Sequence, residues 1–339
     1  MSFQEIPLGA MRFNSDSQKL EYFNGDIWMQ VHTAPNSPIA ARGFFHGGAI
    51  STSGGNHIEY VTIATTGDAV DFGDLPTAET GSGSGGASYT RAVHGGGSHT
   101  SAPWASKNHI SSYIMATHGN GVDWGDLTRT AYRIFQGNAG DNTRLCFMGG
   151  IDPAKVDVID YITIESSGGA TDFGNLGATW ELAACGSNPT RAVCGGGNRT
   201  PVSNGNSMEY ITIQSTGNAV DFGDLTVGRS ACGGLSNSVR FFVGGGLGSP
   251  TYVNTIDYVT TSSLGNATDW GDMTEAYSNF SGVGSPVRGL FGGGYKTATG
   301  MKVISYIDLI STGDAVNFGD LTGNTTNTST ASNSHGGLG

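Results

Sequence analysis

One five-residue motif occurs six times in the chain, and its regular spacing constrains the fold more than any other feature. Each copy reads Asp or Asn, an aromatic residue, Gly, Asp or Asn, and Leu or Met; the aromatic positions are Phe72, Trp124, Phe173, Phe222, Trp270 and Phe318. These aromatics lie 52, 49, 49, 48 and 48 residues apart. Such spacing in a chain of 339 residues predicts a repeat array or a propeller.

Every repeat contains four segments in a fixed order. An arginine begins a short apolar run that ends in Gly-Gly, then come a segment with one tyrosine, a Gly-Asp or Gly-Asn turn with the aromatic motif, and a small polar segment. Alternating β-branched residues predict strands, and the Gly-Asp and Gly-Asn pairs are typical of tight hairpins. Six such units predict an all-β fold, a six-bladed β-propeller over residues 40–339 with four antiparallel strands per blade. The arginines that mark the repeats are Arg42, Arg91, Arg144, Arg191, Arg240 and Arg288.

The register of the last repeat predicts how the two ends of the repeat region meet. Residues 327–334 form a small-residue segment at the place where another repeat arginine would follow. The missing continuation is the segment 42–48 at the other end of the region. We therefore expect residues 327–334 to pair antiparallel with residues 42–48, which would leave no open edge strand.

The first 39 residues lack the repeat and have a different sequence pattern. Asn24-Gly25 lies between the strand-like runs 20–22 and 27–31, and this pair predicts a two-residue hairpin turn within a small β-meander. Two or three strands with one apolar face are marginally stable alone. We therefore expect this N-terminal arm, residues 1–39, to dock onto the propeller, onto another copy of itself, or onto a larger assembly.

Composition excludes two classes of partner. The net charge of −12 argues against a surface that binds phosphate groups, so we predict no nucleic-acid partner. No apolar run approaches the roughly 18 residues of a membrane helix, and residues 1–10 lack the regions of a signal peptide. We predict no membrane insertion.

Six of the eleven arginines occupy the same repeat position, which invites two interpretations. In the first, each guanidinium binds an aspartate of the aromatic motif and braces one strand to the next. In the second, the arginines line a channel that binds anions. The acidic residues recur with the same period as the arginines, which favours bracing.

The sequence does not predict an enzyme. His46, His57, His94, His99 and His109 lie near the Gly-Gly segments or the following loops of the first two repeats, but the other repeats lack matching histidines. A copper site needs converging imidazoles, so we read these residues as polar loop positions and predict no cofactor. Calcium bound by aspartates and backbone oxygens in turns is left open.

The four cysteines have no spacing typical of a zinc site, and two interpretations remain for one pair. Cys185 and Cys194 could face each other on neighbouring strands, or all four could be small apolar core residues: Cys146, Cys185, Cys194 and Cys232.

The order of Gly-Gly, tyrosine strand, aromatic strand and small-residue strand resembles the kelch repeat over residues 40–339. Glycine triplets often replace the pair, and Phe usually stands where kelch repeats have Trp. The run of residues 11–28 is similar to segments of phage tail-fibre and other virion proteins, and the repeat of residues 217–225 resembles those of virion structural proteins from marine phages. These resemblances imply a kelch-like propeller in a virion. Residues 1–39 would attach it to other virion proteins, within a homo-oligomer in the particle.

The loops that follow Gly-Gly vary in length and chemistry, whereas the hairpin turns are nearly identical. Variable loops on a rigid scaffold commonly bind ligands, so we name the surface formed by these loops and by the connections into the next repeat the loop face. Its candidate residues are Trp104, Lys107, His99, His109 and Arg133, with Trp104 able to stack on a sugar. We expect a host receptor or glycan as ligand. The alternatives are a purely architectural role in a capsid, tail or fibre, and a carbohydrate-active oxidase or lyase.

Overall fold

The computed structural model describes residues 7, 9–14, 19–30, 40–50, 53–79, 83–98, 106–297 and 299–338. In this part of the chain the fold is all-β, with thirty strands and one short 3-10 helix, Gly336–Leu338. The chain divides into two compact units, Met1–Pro38 and Ile39–Gly339. This division lies one residue before the boundary drawn from the repeat.

The smaller unit is an antiparallel three-stranded sheet of Met11–Asn14, Lys19–Phe23 and Trp28–Gln30. The expected meander is present, but the expected two-residue turn is wrong, because four residues separate the second and third strands. Asn24 explains the difference. Its side-chain oxygen accepts hydrogen bonds from the amides of Asp26 (3.0 Å) and Ile27 (2.9 Å), a side-chain turn that takes the place of a tighter backbone turn.

The larger unit contains three main classes of strand, each named for its typical residue. The arginine strands are Arg42–His46, Arg91–Gly95, Arg144–Met148, Arg191–Gly195, Arg240–Leu247 and Arg288–Gly292. The tyrosine strands are Ser53–Thr62, Lys107–Ile114, Val158–Thr163, Ser207–Thr212, Tyr252–Thr260 and Thr299–Asp308. The aromatic strands are Val70–Glu79, Val122–Ala131, Thr171–Asn175, Val220–Asp224, Thr268–Asp272 and Val316–Thr326.

The remaining strands are short. The small-residue strands are Ser84–Ala87, Ala184–Ser187, Gly233–Ser236, Ser281–Gly284 and Ser329–Ser332. Four two-residue strands complete the set: Ala49–Ile50, Trp180–Glu181, Asn198–Arg199 and Tyr295–Lys296.

These strands pair antiparallel in the order small-residue, arginine, tyrosine, aromatic, and we number the resulting sheets first to sixth by their arginine strands. The third sheet departs from the predicted four strands, because it has only the last three classes. In its place the segment around Asn138 makes only isolated backbone bonds to the third arginine strand, such as Cys146 N to Ala139 O at 3.1 Å, and Asn138 Nδ2 donates to Gly140 O and to Ser187 Oγ, both at 3.0 Å. The short strand Ala49–Ile50 joins the first and sixth sheets into one ten-stranded sheet.

The first sheet is assembled from both ends of the repeat region. The small-residue strand Ser329–Ser332 pairs antiparallel with the arginine strand Arg42–His46, and Ala331 lies opposite Phe44. The arginine strand then pairs with Ser53–Thr62. Residues nearly 300 positions apart therefore lie side by side.

The six sheets contact one another in cyclic order through their hairpin turns. The amide of each turn glycine donates to the carbonyl of the motif aromatic in the preceding sheet, at 2.8–3.1 Å. The bond from Gly67 to Phe318 joins the first sheet to the sixth, so the contacts return to their start. The other five bonds are Gly119 to Phe72, Gly168 to Trp124, Gly217 to Phe173, Gly265 to Phe222 and Gly313 to Trp270.

The glycine of the motif makes these contacts sterically feasible. A Cβ atom at Gly73 would overlap with the backbone carbonyl of Gly119 in the next sheet, and the corresponding overlap occurs at all six motif glycines, including Gly319 against Gly67. Gly73 also has a φ of 154°, which side chains disfavour. The recurring glycine therefore marks the points where neighbouring backbones touch.

Six hydrophobic clusters form the core, and each is shared by two neighbouring sheets. In the cluster between the sixth and first sheets, Phe45 and Ile63 pack with Leu290 and Phe318. The core is therefore a series of apolar interfaces between sheets.

Candidate functional site

A cavity of about 520 Å³ lies at the points where the small-residue segments begin. Four of its lining residues follow a Gly-Gly pair directly, and so stand where the variable loops start: Ala49, Ser98, Asn198 and Leu247. The other lining residues are Tyr132, Arg133, Leu182, Asn204, Ser230, Ala231, Ser278, Asn279 and Asn327.

Five of the lining residues form a continuous arc, which we call the rim: Arg133, Leu182, Ala231, Asn279 and Asn327. Each comes from a different connection between sheets and has a left-handed backbone, with φ between 51° and 59°. The amides of the last four, Leu182, Ala231, Asn279 and Asn327, each donate to the carbonyl of the rim residue before them, at 2.8–3.3 Å. These bonds fix the order of the side chains around the cavity.

The rim gives the cavity two chemically different sides. Leu182 and Ala231 are apolar, and Tyr132 and Leu247 also line the cavity. Further along the rim stand the amides of Asn279 and Asn327. The cavity therefore combines an apolar wall with a wall that can donate and accept hydrogen bonds.

Among the described residues that line the cavity, Arg133 alone has an ionised side chain, and its charge is compensated. Its Nη1 lies 3.2 Å from Glu181 Oε2, and its guanidinium lies 5.7 Å from the centre of the Tyr132 ring. The side chain is 46% exposed, so it reaches solvent. The cavity as a whole presents little net charge.

The small-residue strands, which begin at the cavity, pack closely against one another. A Cβ at Gly282 would lie 2.5 Å from the carbonyl oxygen of Gly234, so neighbouring small-residue strands touch. At the far ends of these strands the C-terminal segment fills the space: His335 Nε2 donates to Ala87 O (2.7 Å), and Tyr89 OH donates to Leu338 O (2.6 Å).

The repeat arginines do not line this cavity, and the expected aspartate partner is wrong. Each guanidinium stacks on an aromatic ring of its own sheet at 4.0–5.5 Å, as Arg42 does on Tyr60 at 4.6 Å. Five of the six also donate to backbone carbonyls of the next sheet, such as Met115 O (2.9 Å) for Arg42. Among the described residues only Arg91 of this set pairs with a carboxylate, that of Glu165 (3.3 Å).

The carbonyls bound by the arginines explain this choice of partner. Met115, Ile213 and Leu309 each stand directly after the end of a tyrosine strand, where the ladder no longer supplies a donor. The arginine therefore does brace neighbouring sheets, but through the backbone.

Acidic residues also join the sheets, at a position that the sequence analysis missed. The residue before the strand tyrosine is acidic in four sheets, and its carboxylate accepts a hydrogen bond from the preceding sheet at 2.6–2.9 Å. Asp257 in addition pairs with Arg229 at 3.0 Å, and both side chains are fully buried. The detectable signal was the pair Glu-Tyr or Asp-Tyr at Glu59, Asp160, Glu209 and Asp257.

Of the predicted loop-face residues that the structure describes, only Arg133 lines the cavity. Lys107 Nζ donates to Ala78 O (2.8 Å), and His109 Nδ1 lies 3.8 Å from Asp123 Oδ1; neither residue lines the cavity. Trp104 and His99 lie outside the described residues.

The expected loop positions are wrong for the four histidines that the structure describes, because His46, His57, His94 and His109 all lie within strands. His46 and His94 are buried, and both hydrogen bond through Nδ1 to Ser329 Oγ, at 2.8 and 2.5 Å. Burial, together with His94 and His57, holds the pKa of His46 well below its usual range. In the described part of the chain, no group of three or more His, Cys, Asp or Glu side chains is placed to hold a metal ion.

All four cysteines are free and buried. Cys185 does lie opposite Cys194 on neighbouring strands, as one interpretation expected, but the two remain thiols. Burial raises the pKa of Cys185 well above its usual value, which leaves the thiol unreactive.

Over the described ranges, none of the helical structure is long and apolar enough to cross a membrane. No model of a known protein family matches the chain, and no curated protein matches it either.

Proposed function

We propose that the larger unit is a six-bladed, kelch-like β-propeller, and that the chain is a non-enzymatic virion structural protein of a phage. Its loop face would bind a host receptor or glycan. The fold proposal is supported by the cyclic contacts among six sheets, by the six shared core clusters, and by the sheet built from both ends of the repeat region.

The observation that carries the binding role is the position of the cavity. It lies where the variable loops start, and nine of its thirteen lining residues are polar. A concave site with a few converging polar groups is the usual form of a ligand site. Loops of different length and chemistry around one such site are typical of a recognition surface.

The arm has a surface that suits attachment to other virion proteins. Met11 and Phe13 are 62% and 66% exposed, and Met11 pairs in register with Tyr22, which is 40% exposed. On the opposite face Arg12 covers Trp28 at 4.2 Å and pairs with Glu21 at 2.8 Å. A small sheet with one bare apolar face gains stability when a neighbour covers that face, either another virion protein or a second copy of this chain.

The binding role can be tested with the full chain on a glycan array and on a panel of marine bacteria. We expect saturable binding to a restricted set of glycans and to the cells that carry them. The absence of binding in both formats, together with incorporation of the protein into particles, would favour the purely architectural role. Release of oxidised or cleaved sugar products would instead favour a carbohydrate-active oxidase or lyase.

A further inference from the structure

We infer that the cavity bounded by the rim binds one neutral sugar ring, with the apolar face of the sugar toward Tyr132 and Leu182 and its hydroxyls toward Asn279 and Asn327. This inference rests on the proposed function, and it specifies the ligand and the residues that hold it.

The size of the cavity fits a single small ligand. Its volume of about 520 Å³ lies within the roughly 300–1,000 Å³ of ordinary small-molecule sites. One sugar unit can enter from the loop face, while the rest of a longer glycan would remain outside.

The two walls match the two surfaces of a sugar ring. Such a ring has a face of C–H groups, which packs on aromatic and aliphatic side chains, and an edge of hydroxyls that both donate and accept hydrogen bonds. Tyr132 and Leu182 supply the first kind of surface. The side-chain amides of Asn279 and Asn327 each contain two N–H donors and an acceptor oxygen, which suits neighbouring hydroxyls, and each Nδ2 also donates to the hydroxyl of the preceding residue at 3.4 Å.

The charge balance favours a neutral ligand. Arg133 is the only ionised residue among the described residues that line the cavity, and Glu181 lies 3.2 Å from its guanidinium. An anionic sugar would have to share this cation with Glu181.

The backbone of the rim supplies an independent observation. Leu182 and Ala231 hold φ angles of 56° and 51°, a conformation that glycine adopts without cost and asparagine with little cost. The chain uses glycine for the neighbouring left-handed positions, such as Gly196 and Gly197, yet keeps side chains on the rim. Strained residues of this kind cluster at binding sites, where the side chain is needed.

The test uses the full chain and three methyl glycosides as neutral probes, those of glucose, galactose and N-acetylglucosamine, with methyl glucuronide as the acidic probe. Calorimetric titration should give a Kd on the order of 1 mM for at least one neutral probe, as expected for so small a ligand. The acidic probe should bind at least about tenfold more weakly, since its charge remains uncompensated.

Asn279→Gly is the informative variant, because glycine accepts the left-handed backbone and only the amide is lost. We expect an unchanged melting temperature and about tenfold weaker binding of the neutral probe. Thr297→Gly is the matched control: Thr297 has a φ of 45° but does not line the cavity, so binding should not change.

Three results would overturn the inference. If the full chain binds array glycans but Asn279→Gly and Tyr132→Ala bind them as tightly as the wild type, the ligand sits elsewhere and the proposed function stands alone. Tighter binding of the glucuronide than of every neutral probe would exclude the neutral class. If no glycan is bound in any format, this inference and the proposed binding function both fail.

Discussion

Arg229 and Asp257 form an ion pair between two sheets, and both side chains are fully buried. Arg229 Nη2 lies 3.0 Å from the Asp257 carboxylate and 3.0 Å from the carbonyl of Val243. Arg229→Ala would leave the carboxylate buried without a counter-charge, so we expect a loss of about 3–5 kcal/mol in the free energy of unfolding. Urea unfolding followed by tryptophan fluorescence measures it.

The matched control for that variant is an exposed ion pair, that of Lys296 and Glu275 at 2.6 Å. Because both side chains are largely in solvent, Lys296→Ala should cost less than about 1 kcal/mol. If Arg229→Ala and Lys296→Ala lower the free energy of unfolding by equal amounts, burial does not explain the effect at Arg229.

The repeat arginine makes a different prediction. Arg240 stacks on Trp270 at 5.2 Å and donates to Leu309 O at 3.0 Å. Arg240→Ala should therefore cost about 1–3 kcal/mol, the sum of a cation–π contact and one charge-assisted hydrogen bond. Arg240→Lys should recover only part of this, because an ammonium lacks the planar face that stacks. A lysine variant as stable as the wild type would show that charge alone matters here.

At the level of single residues, the sequence showed which side chains recur but not what they contact. The period of Arg and Asp suggested that the two pair, yet the arginine binds carbonyls beyond the strand ends. A repeat gives the position of a side chain and leaves its partner undetermined. Four of the carboxylates that bridge sheets stand directly before the tyrosine, and because they occur in only four repeats, a strict search for identity in all six overlooks them.

The C-terminal segment is an element whose attachment depends on a neutral histidine. His335 Nδ1 lies 2.9 Å from Asn138 Nδ2 and accepts the amide of Gly337 at 3.0 Å, while Nε2 donates to Ala87 O at 2.7 Å. A protonated ring would have no acceptor for the first two groups. Burial accordingly lowers the pKa of His335 to about 4 from its ordinary 6.5.

The sign of the resulting pH dependence follows from proton binding. Between pH 6.5 and about 4 the unfolded state binds a proton at His335 that the folded state does not, so stability falls as the pH falls. We expect this residue to contribute a slope of about 1.4 kcal/mol per pH unit in that window. Urea midpoints from pH 7 to pH 4 should fall less steeply in His335→Gln than in the wild type, and equal slopes would contradict this role.

Strands and hairpins were predictable because they depend on local patterns, whereas the exceptions depend on side-chain bonds. Alternating β-branched residues located all six tyrosine strands, and the strand-terminal glycines located the loops. The turn at Asn24 follows instead from its side-chain hydrogen bonds, and in the third sheet the segment before Arg144 makes only isolated backbone bonds where a regular strand was expected. The left-handed rim was not predictable either, since Leu182 and Ala231 are residue types that rarely adopt it.

The folding and solubility of the larger unit depend on the sheet that contains both ends of the repeat region. Deletion of residues 325–339 removes the strand opposite Arg42–His46 and uncovers the side chains of Phe44 and Phe45, both fully buried. We expect aggregation, seen by light scattering and size-exclusion chromatography, because an open strand edge and an apolar surface appear together. Deletion of residues 1–38 is the control, since the larger unit has its own core. A soluble, cooperatively folding 1–324 chain would refute this role of the last strand.

The rim also has a mechanical consequence. Its five residues come from five different connections, and each is hydrogen bonded to the next through the backbone. A pull on a ligand seated in the cavity would be transmitted to several sheets at once, instead of peeling one strand from its neighbour. If this protein holds a particle to a moving cell, tension at the point of attachment would be shared among these hydrogen bonds, and several of them would have to break at the same time.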